Sequence, residues 1–192
     1  MCSNGTYSGD RNTDRSVYYW GITVIKFIEK MAGGNPLPSR PAARLVWNGL
    51  IGGLLGIGVI AILTQSFGLP FMMAPLGATC VLLFAVPDAP LAQPRNVIGG
   101  HLVSSFVGIV VVKYLGVSPL CMGVAVGVAI ALMQLTRTLH APAGADPLVV
   151  ILAGGASWDF LLVPVLASSV VLVLIALVLN NASSTSQWPK YW

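Results

Sequence analysis

Apolar residues gather in six runs separated by short polar or proline-rich stretches. Runs 45–65, 97–115, 120–139 and 161–180 come close to the ~20 residues an α-helix needs to cross a bilayer. Two shorter runs, 71–86 and 141–157, lie between them, and both are interrupted by proline and glycine. The pattern predicts an all-α fold, a polytopic transmembrane helical bundle of four to six spans. Residues 17–31 differ: Trp20, Val24, Phe27, Ile28 and Met31 share one helical face, with Lys26, Glu29 and Lys30 elsewhere. That spacing predicts a short amphipathic helix lying at the membrane surface. Gly33-Gly34-Asn35-Pro36-Leu37-Pro38 ends it as a linker. The expected organisation is an N-terminal segment 1–44, a transmembrane domain 45–181 and a polar tail 182–192.

The two short runs open on near copies. Ala74-Pro75-Leu76-Gly77-Ala78-Thr79 and Ala141-Pro142-Ala143-Gly144-Ala145-Asp146 share Ala-Pro-x-Gly-Ala at a separation of 67 residues. Each is flanked by a long run on both sides, so the chain reads as two related halves, about 45–116 and 117–181. Paired interrupted segments in matching positions of two halves point to a transporter's binding site. Proline in a first helical turn costs nothing, and glycine and alanine allow close approach. Pro75 and Pro142 therefore mark helix starts, and free N–H groups near Gly77 and Gly144 could hold an anion. The competing reading is tight helix packing alone.

Composition makes the membrane assignment firm: 56% of residues are hydrophobic, 8% are charged and the mean hydropathy is +0.83. Soluble domains carry about 25% charged residues. Three scattered cysteines, Cys2, Cys80 and Cys121, exclude a disulfide framework. The net charge of +4 suits a positive-inside membrane protein better than a nucleic-acid binder. The first apolar stretch is aromatic and charge-interrupted, unlike a secretory signal. With no transit peptide evident, the expected location is a bacterial inner membrane, with a plastid membrane as the alternative. Arg40 and Arg44 beside the first run place the N-terminus in the cytoplasm. If the short runs cross, Arg95, Arg137 and Lys190 join them and only Lys113 lies outside. If the short runs are re-entrant, Arg95 and Arg137 lie outside. Charge favours six crossings, and run length favours four.

Few residues could carry chemistry. Arg137, His140 and Asp146 cluster around the second motif. Arg137 and His140 share a face if the fourth helix continues through them, and Arg137 could pair with an anionic substrate or with Asp146. A positive-inside flank would explain Arg137 equally well. His101 lies inside an apolar run near Ser104 and Ser105, and either histidine could carry a proton near neutral pH. Asp88 reads as a solvated loop residue and Asp159 as a cap for the last helix. Gly49-x-x-x-Gly53, Gly52-x-x-x-Gly56 and Gly123-x-x-x-Gly127 are small-residue packing motifs, within one chain or between subunits. No nucleophile–base pair, metal-ligand set, phosphate loop or dinucleotide fingerprint is visible. An enzyme is therefore not expected, and no cofactor or metal is.

The stretch from Pro75-Leu76-Gly77-Ala78-Thr79 through Gln93-Pro94-Arg95-Asn96-Val97-Ile98-Gly99-Gly100-His101 resembles the HPP family of integral membrane proteins. So does Leu135-Thr136-Arg137-Thr138-Leu139-His140-Ala141-Pro142-Ala143-Gly144-Ala145. The family's His-Pro-Pro reads His140-Ala141-Pro142 here, and Asp146 replaces a small or hydroxyl residue. The resemblance implies a four-spanning transporter, and the link of plastid members to nitrite implies a small-anion substrate.

Together these readings give a site between the broken segments, formed by Pro75, Gly77, Ala78, Thr79, Arg95, Asn96, His101, Arg137, His140, Pro142, Gly144 and Asp146. The expected partners are the lipid bilayer, a small anion, and a second copy or a larger membrane complex. The alternatives are a non-transporting assembly subunit and a passive channel for a neutral solute.

Overall fold

The computed structural model describes residues 25–31, 33–182 and 187–192. Two units emerge, Met1–Arg40 and Pro41–Trp192. In the first, residues 25–31 are helical and exposed. The remainder of the helix expected over 17–31 lies outside the described residues.

The described part of the second unit is helical and contains no strand. Helix α1 spans Ala43–Phe67 and ends on Gly68, whose φ of 63° suits glycine. Helix α2, Pro75–Cys80, continues as a π-helical turn, Val81–Ala85. Helix α3 is Pro94–Leu115 and α4 is Pro119–Leu135. A 3-10 turn, Ala141–Ala145, leads into α5, Asp146–Leu152. Turns Trp158–Leu161 and Leu162–Leu166 lead into α6, Ala167–Asn180. Proline occupies the first turn of α2, α3 and α4, where its missing N–H leaves no partner unsatisfied. Among the described residues, three helices are long and apolar enough to span a bilayer: Ala43–Phe67, Pro94–Leu115 and Trp158–Asn180.

The fourth run departs from expectation. Its helix stops at Leu135 rather than running to residue 139. The Thr136 hydroxyl donates back to the Leu132 carbonyl, and Arg137 takes a left-handed φ of 57°. Arg137 and His140 therefore do not share a helical face. The 17 residues that remain sit at the lower limit for a crossing.

Contacts along the bundle give the direction of every segment. Asn48, near the start of α1, donates to the Phe84 carbonyl and to Asn180 at the end of α6. Deeper in, a side chain at Gly56 would meet Cys80 and Leu172. The segment 68–85 therefore runs antiparallel to α1. It enters from the far end as irregular chain and leaves as α2 and its π-helical turn. In the other half, Asn96 bonds the Leu139 carbonyl, Ser104 the Ala143 carbonyl, and Gly108 meets Pro147 and Val150. The segment 139–152 thus runs parallel to α3, reaching Trp158 beneath Lys113 at the far end. Each half is a long helix, a broken segment and a long helix, and the second half runs opposite to the first. Counted end to end, the described chain makes six passages along the bundle, two of them part irregular and part helical.

Small residues set the packing. Gly52 lies against the Phe84 ring, and Gly56 against Leu172 and Cys80. Nothing lies within 4 Å of the positions a side chain would take at Gly53, Gly123 or Gly127. Gly52→Val is expected to lower stability by about 1–3 kcal/mol through overpacking against Phe84, while Gly53→Val costs little. Thermal unfolding of the two variants in one detergent checks this, and equal melting temperatures would contradict it.

The tail also folds back. Trp188 is buried, Lys190 N–H donates to Gln93 Oε1, and the Tyr191 hydroxyl donates to the Pro90 carbonyl and to Asn96 Oδ1. Lys190 pairs with exposed Asp88 at 3.0 Å. The last residues thus belong to the bundle's first end and are not a free tail. Asp159 lies inside a 3-10 turn and makes no cap hydrogen bond there.

Candidate functional site

The α3 helix carries small residues at every fourth position facing the second broken segment: Gly100, Ser104 and Gly108. A side chain at Gly100 would fall 2.6 Å from His140 Cβ and 2.8 Å from the Thr138 carbonyl. One at Gly108 would fall 2.8 Å from Pro147 Cα. This ridge lets the segment 138–150 lie directly on α3. Its spacing of four was visible in the sequence but was not singled out there.

The approach brings four side chains together, all of them completely buried: Thr79, His101, His140 and Asp146. Thr79 Oγ1 lies 2.8 Å from His101 Nε2 and 3.0 Å from His140 Nε2. His101 Nδ1 lies 2.7 Å from Asp146 Oδ2, which also accepts from Ser105 at 3.3 Å. His140 Nδ1 donates to the Leu91 carbonyl at 2.8 Å. The two imidazoles meet edge to face, with centroids 4.9 Å apart. Thr79 and Asp146 occupy matching places in the two motifs. Each touches one nitrogen of His101, so both broken segments meet on a single α3 side chain.

Asp146 therefore pairs with His101 and not with Arg137. The reason is local geometry: the left-handed turn at Arg137 sends its side chain to the surface, while the 3-10 turn carries Asp146 inward. Thr79, His101 and Asp146 also form a hydroxyl–imidazole–carboxylate chain, an order of groups found in acyl-transfer enzymes. Separations of 22 and 45 residues concealed it in the sequence.

The remaining site candidates divide. Pro75 and Pro142 are buried at the motif starts. Gly77 and Ala78 are exposed and Gly144 half-buried, so they do not line the network. Their segments' N–H groups are largely taken. Leu76 N–H bonds the Met73 carbonyl, Gly77 N–H the Ala74 carbonyl, and Ala143 N–H the His140 carbonyl. The expected cradle of free amides is thus closed in this conformation.

The Gln-Pro-Arg-Asn stretch has a clear task. Buried Gln93 donates to the Pro87 and Ala89 carbonyls and shapes the turn that presents the Leu91 carbonyl to His140. Pro94 starts α3. Arg95 reaches the carbonyls of Thr136 and Arg137, and Asn96 reaches that of Leu139. Arg95 therefore clamps the approach to His140. Exposed Arg137 joins Arg95, Tyr191 and Trp192 around a shallow cavity at the first end.

Residues 38–189 match the family described as HPP, transmembrane region. The chain belongs to the HPP transmembrane family. Two transmembrane proteins of Dictyostelium discoideum are similar to it. One is 31% identical, with 95% of this chain and 69% of that protein covered. The other is also 31% identical, with 89% of this chain and 58% of that protein covered, so the chain spans less than two thirds of the second relative. No solved structure matches. Family membership, the apolar helices and the exposed apolar side chains of α1 make this an integral membrane protein in contact with lipid. At the triplet that names the family, His140 enters the buried network while Ala141 is exposed.

Proposed function

We propose that the protein carries a small inorganic anion, nitrite being the first to test, through the point where the two broken segments meet. The observation that supports this reading most is the fully buried Thr79–His101–His140–Asp146 network, to which both halves contribute. Polar and ionisable groups at that depth are costly, and in inverted-repeat transporters they mark the substrate path. With six passages, Arg44, Arg95, Arg137 and Lys190 fall at one end and Lys113 at the other, which supports a cytoplasmic first end. Arg95 and Arg137 then form a cationic rim that concentrates anions.

Transport is favoured over catalysis. The Thr79 hydroxyl is enclosed and flanked by two imidazoles, with no opening for an acyl substrate. Failure of an acylating hydroxyl probe to label Thr79 in folded protein agrees with that; labelling at Thr79 would favour an enzyme.

Exchange of labelled nitrite across liposomes at equal concentration on both sides tests transport without any driving gradient. Arg137→Gln is expected to raise the half-saturation concentration about two- to fivefold, the size of one exposed charge contact, at unchanged maximal rate. An unchanged half-saturation concentration removes Arg137 from the path. Absence of exchange by folded wild-type protein contradicts the transport reading.

A further inference from the structure

We propose that the network holds one exchangeable proton and that the proton is the coupling ion of the site. The assignment rests on counting donors. His140 Nδ1 faces a carbonyl oxygen, which only accepts, so that nitrogen carries a hydrogen. The Thr79 hydroxyl has one hydrogen and lies between two Nε2 atoms, at 2.8 and 3.0 Å. Its other acceptor, the Pro75 carbonyl, is farther away at 3.3 Å. With both histidines neutral and Asp146 ionised, both Nε2 atoms are bare. The single hydroxyl hydrogen then serves one of them and leaves lone pairs opposed at the other. One added proton fills every contact.

That proton has three possible places. It can sit on Asp146 Oδ2, with His101 donating through Nε2. It can sit on His101, against an ionised Asp146. Or it can pass through the Thr79 hydroxyl to His140. In each case the network as a whole is uncharged. A second, independent observation agrees: Asp146 Oδ1 is buried and has no hydrogen-bond partner among the described residues. An ionised carboxylate with one oxygen unpaired there is costly, which favours the placement on Asp146.

Among the described residues, no other charged side chain lies against the network. The α6 helix and the turns before it bring Ser168 and Ser169 and no ionisable group within residues 160–180. Cys80 of α2 faces Gly56 of α1, and Cys121 of α4 lies at the far end. Arg95, Arg137 and Tyr191 stand at the first end. Lys113, with Tyr114 and Trp158, stands at the other, as does Asp159 beside Trp158. The wire runs from the Leu91 carbonyl to Asp146, joining the two broken segments. During a cycle the network would release H+ to one side with the anion and take up H+ from the other, with only N–H and O–H bonds made and broken.

The chain contains two histidines, so 15N-histidine labelling gives four imidazole nitrogens to assign. Solid-state NMR of the labelled protein in bilayers at neutral pH is expected to show at least one hydrogen-bearing Nε2. Two bare Nε2 atoms in the wild type overturn the proton assignment, whether or not nitrite moves. The coupling claim rests on the transport reading and is tested after nitrite exchange. An internal pH indicator is expected to report one proton entering per nitrite. Nitrite uptake with no proton movement overturns coupling and leaves transport standing.

Discussion

His101→Leu is expected to abolish nitrite exchange and to destabilise the protein by about 3–5 kcal/mol, the cost of breaking a buried ionic pair by removing one partner. The imidazole touches both broken segments, through Thr79 at 2.8 Å and Asp146 at 2.7 Å. Without it, Asp146 keeps only the Ser105 hydroxyl at 3.3 Å. Leucine fills comparable space, so the loss is electrostatic and not a cavity effect. A second substitution separates stability from function. His101→Leu with Asp146→Leu removes both partners and should recover most of the stability, because apolar pairs replace buried ion pairs at little cost. Flux should stay absent. Melting temperature and exchange rate, measured on the same preparations, decide the matter. Exchange at the wild-type rate in either variant would remove the network from the path.

Gly100→Val is expected to lose exchange as completely, for a different reason. The first added carbon would lie 2.6 Å from His140 Cβ and 2.8 Å from the Thr138 carbonyl. Both obstacles are parts of the chain that cannot swing away as the end of a long side chain can. The segment 138–140 must move off α3, breaking the Asn96 bond to the Leu139 carbonyl and the contact of His140 with Thr79. Overpacking of this kind costs about 1–3 kcal/mol, so the variant should remain folded. The same labelled nitrogens report the change, because His140 Nε2 loses its partner. A wild-type histidine spectrum in Gly100→Val would mean that the close approach on α3 does not position the site.

Much of the architecture was legible in the chain. The apolar runs mark the helices because a bilayer interior demands satisfied backbone, and a run of suitable length says as much without tertiary information. The repeated Ala-Pro-x-Gly-Ala marks both broken segments. The number of passages was not legible from length alone, because 68–74 and the turn before α5 span their share of the bundle without regular α-helix. Charge favoured six crossings and run length four, and three of the described helices are long and apolar enough to cross by themselves. The site was half legible. The motif alignment already set Thr79 opposite Asp146, but their shared partner lies on α3, and only the packing of Gly100 and Gly108 brings it there. Proximity in sequence suggested Arg137 for Asp146. A single left-handed residue undoes that suggestion, and no local pattern announces it. The glycines of the motifs, expected to receive the ligand, instead face outward at Gly77 or stay half-buried at Gly144.

The most direct test is nitrite uptake into liposomes holding the purified protein, with pH and membrane potential set independently. Saturable uptake that accelerates under an inward proton gradient, and is absent in His101→Leu, is the predicted result. No uptake of nitrite, nitrate, formate or chloride under any gradient, by protein shown to be folded, would contradict it and would make the chain a non-transporting subunit of a membrane assembly.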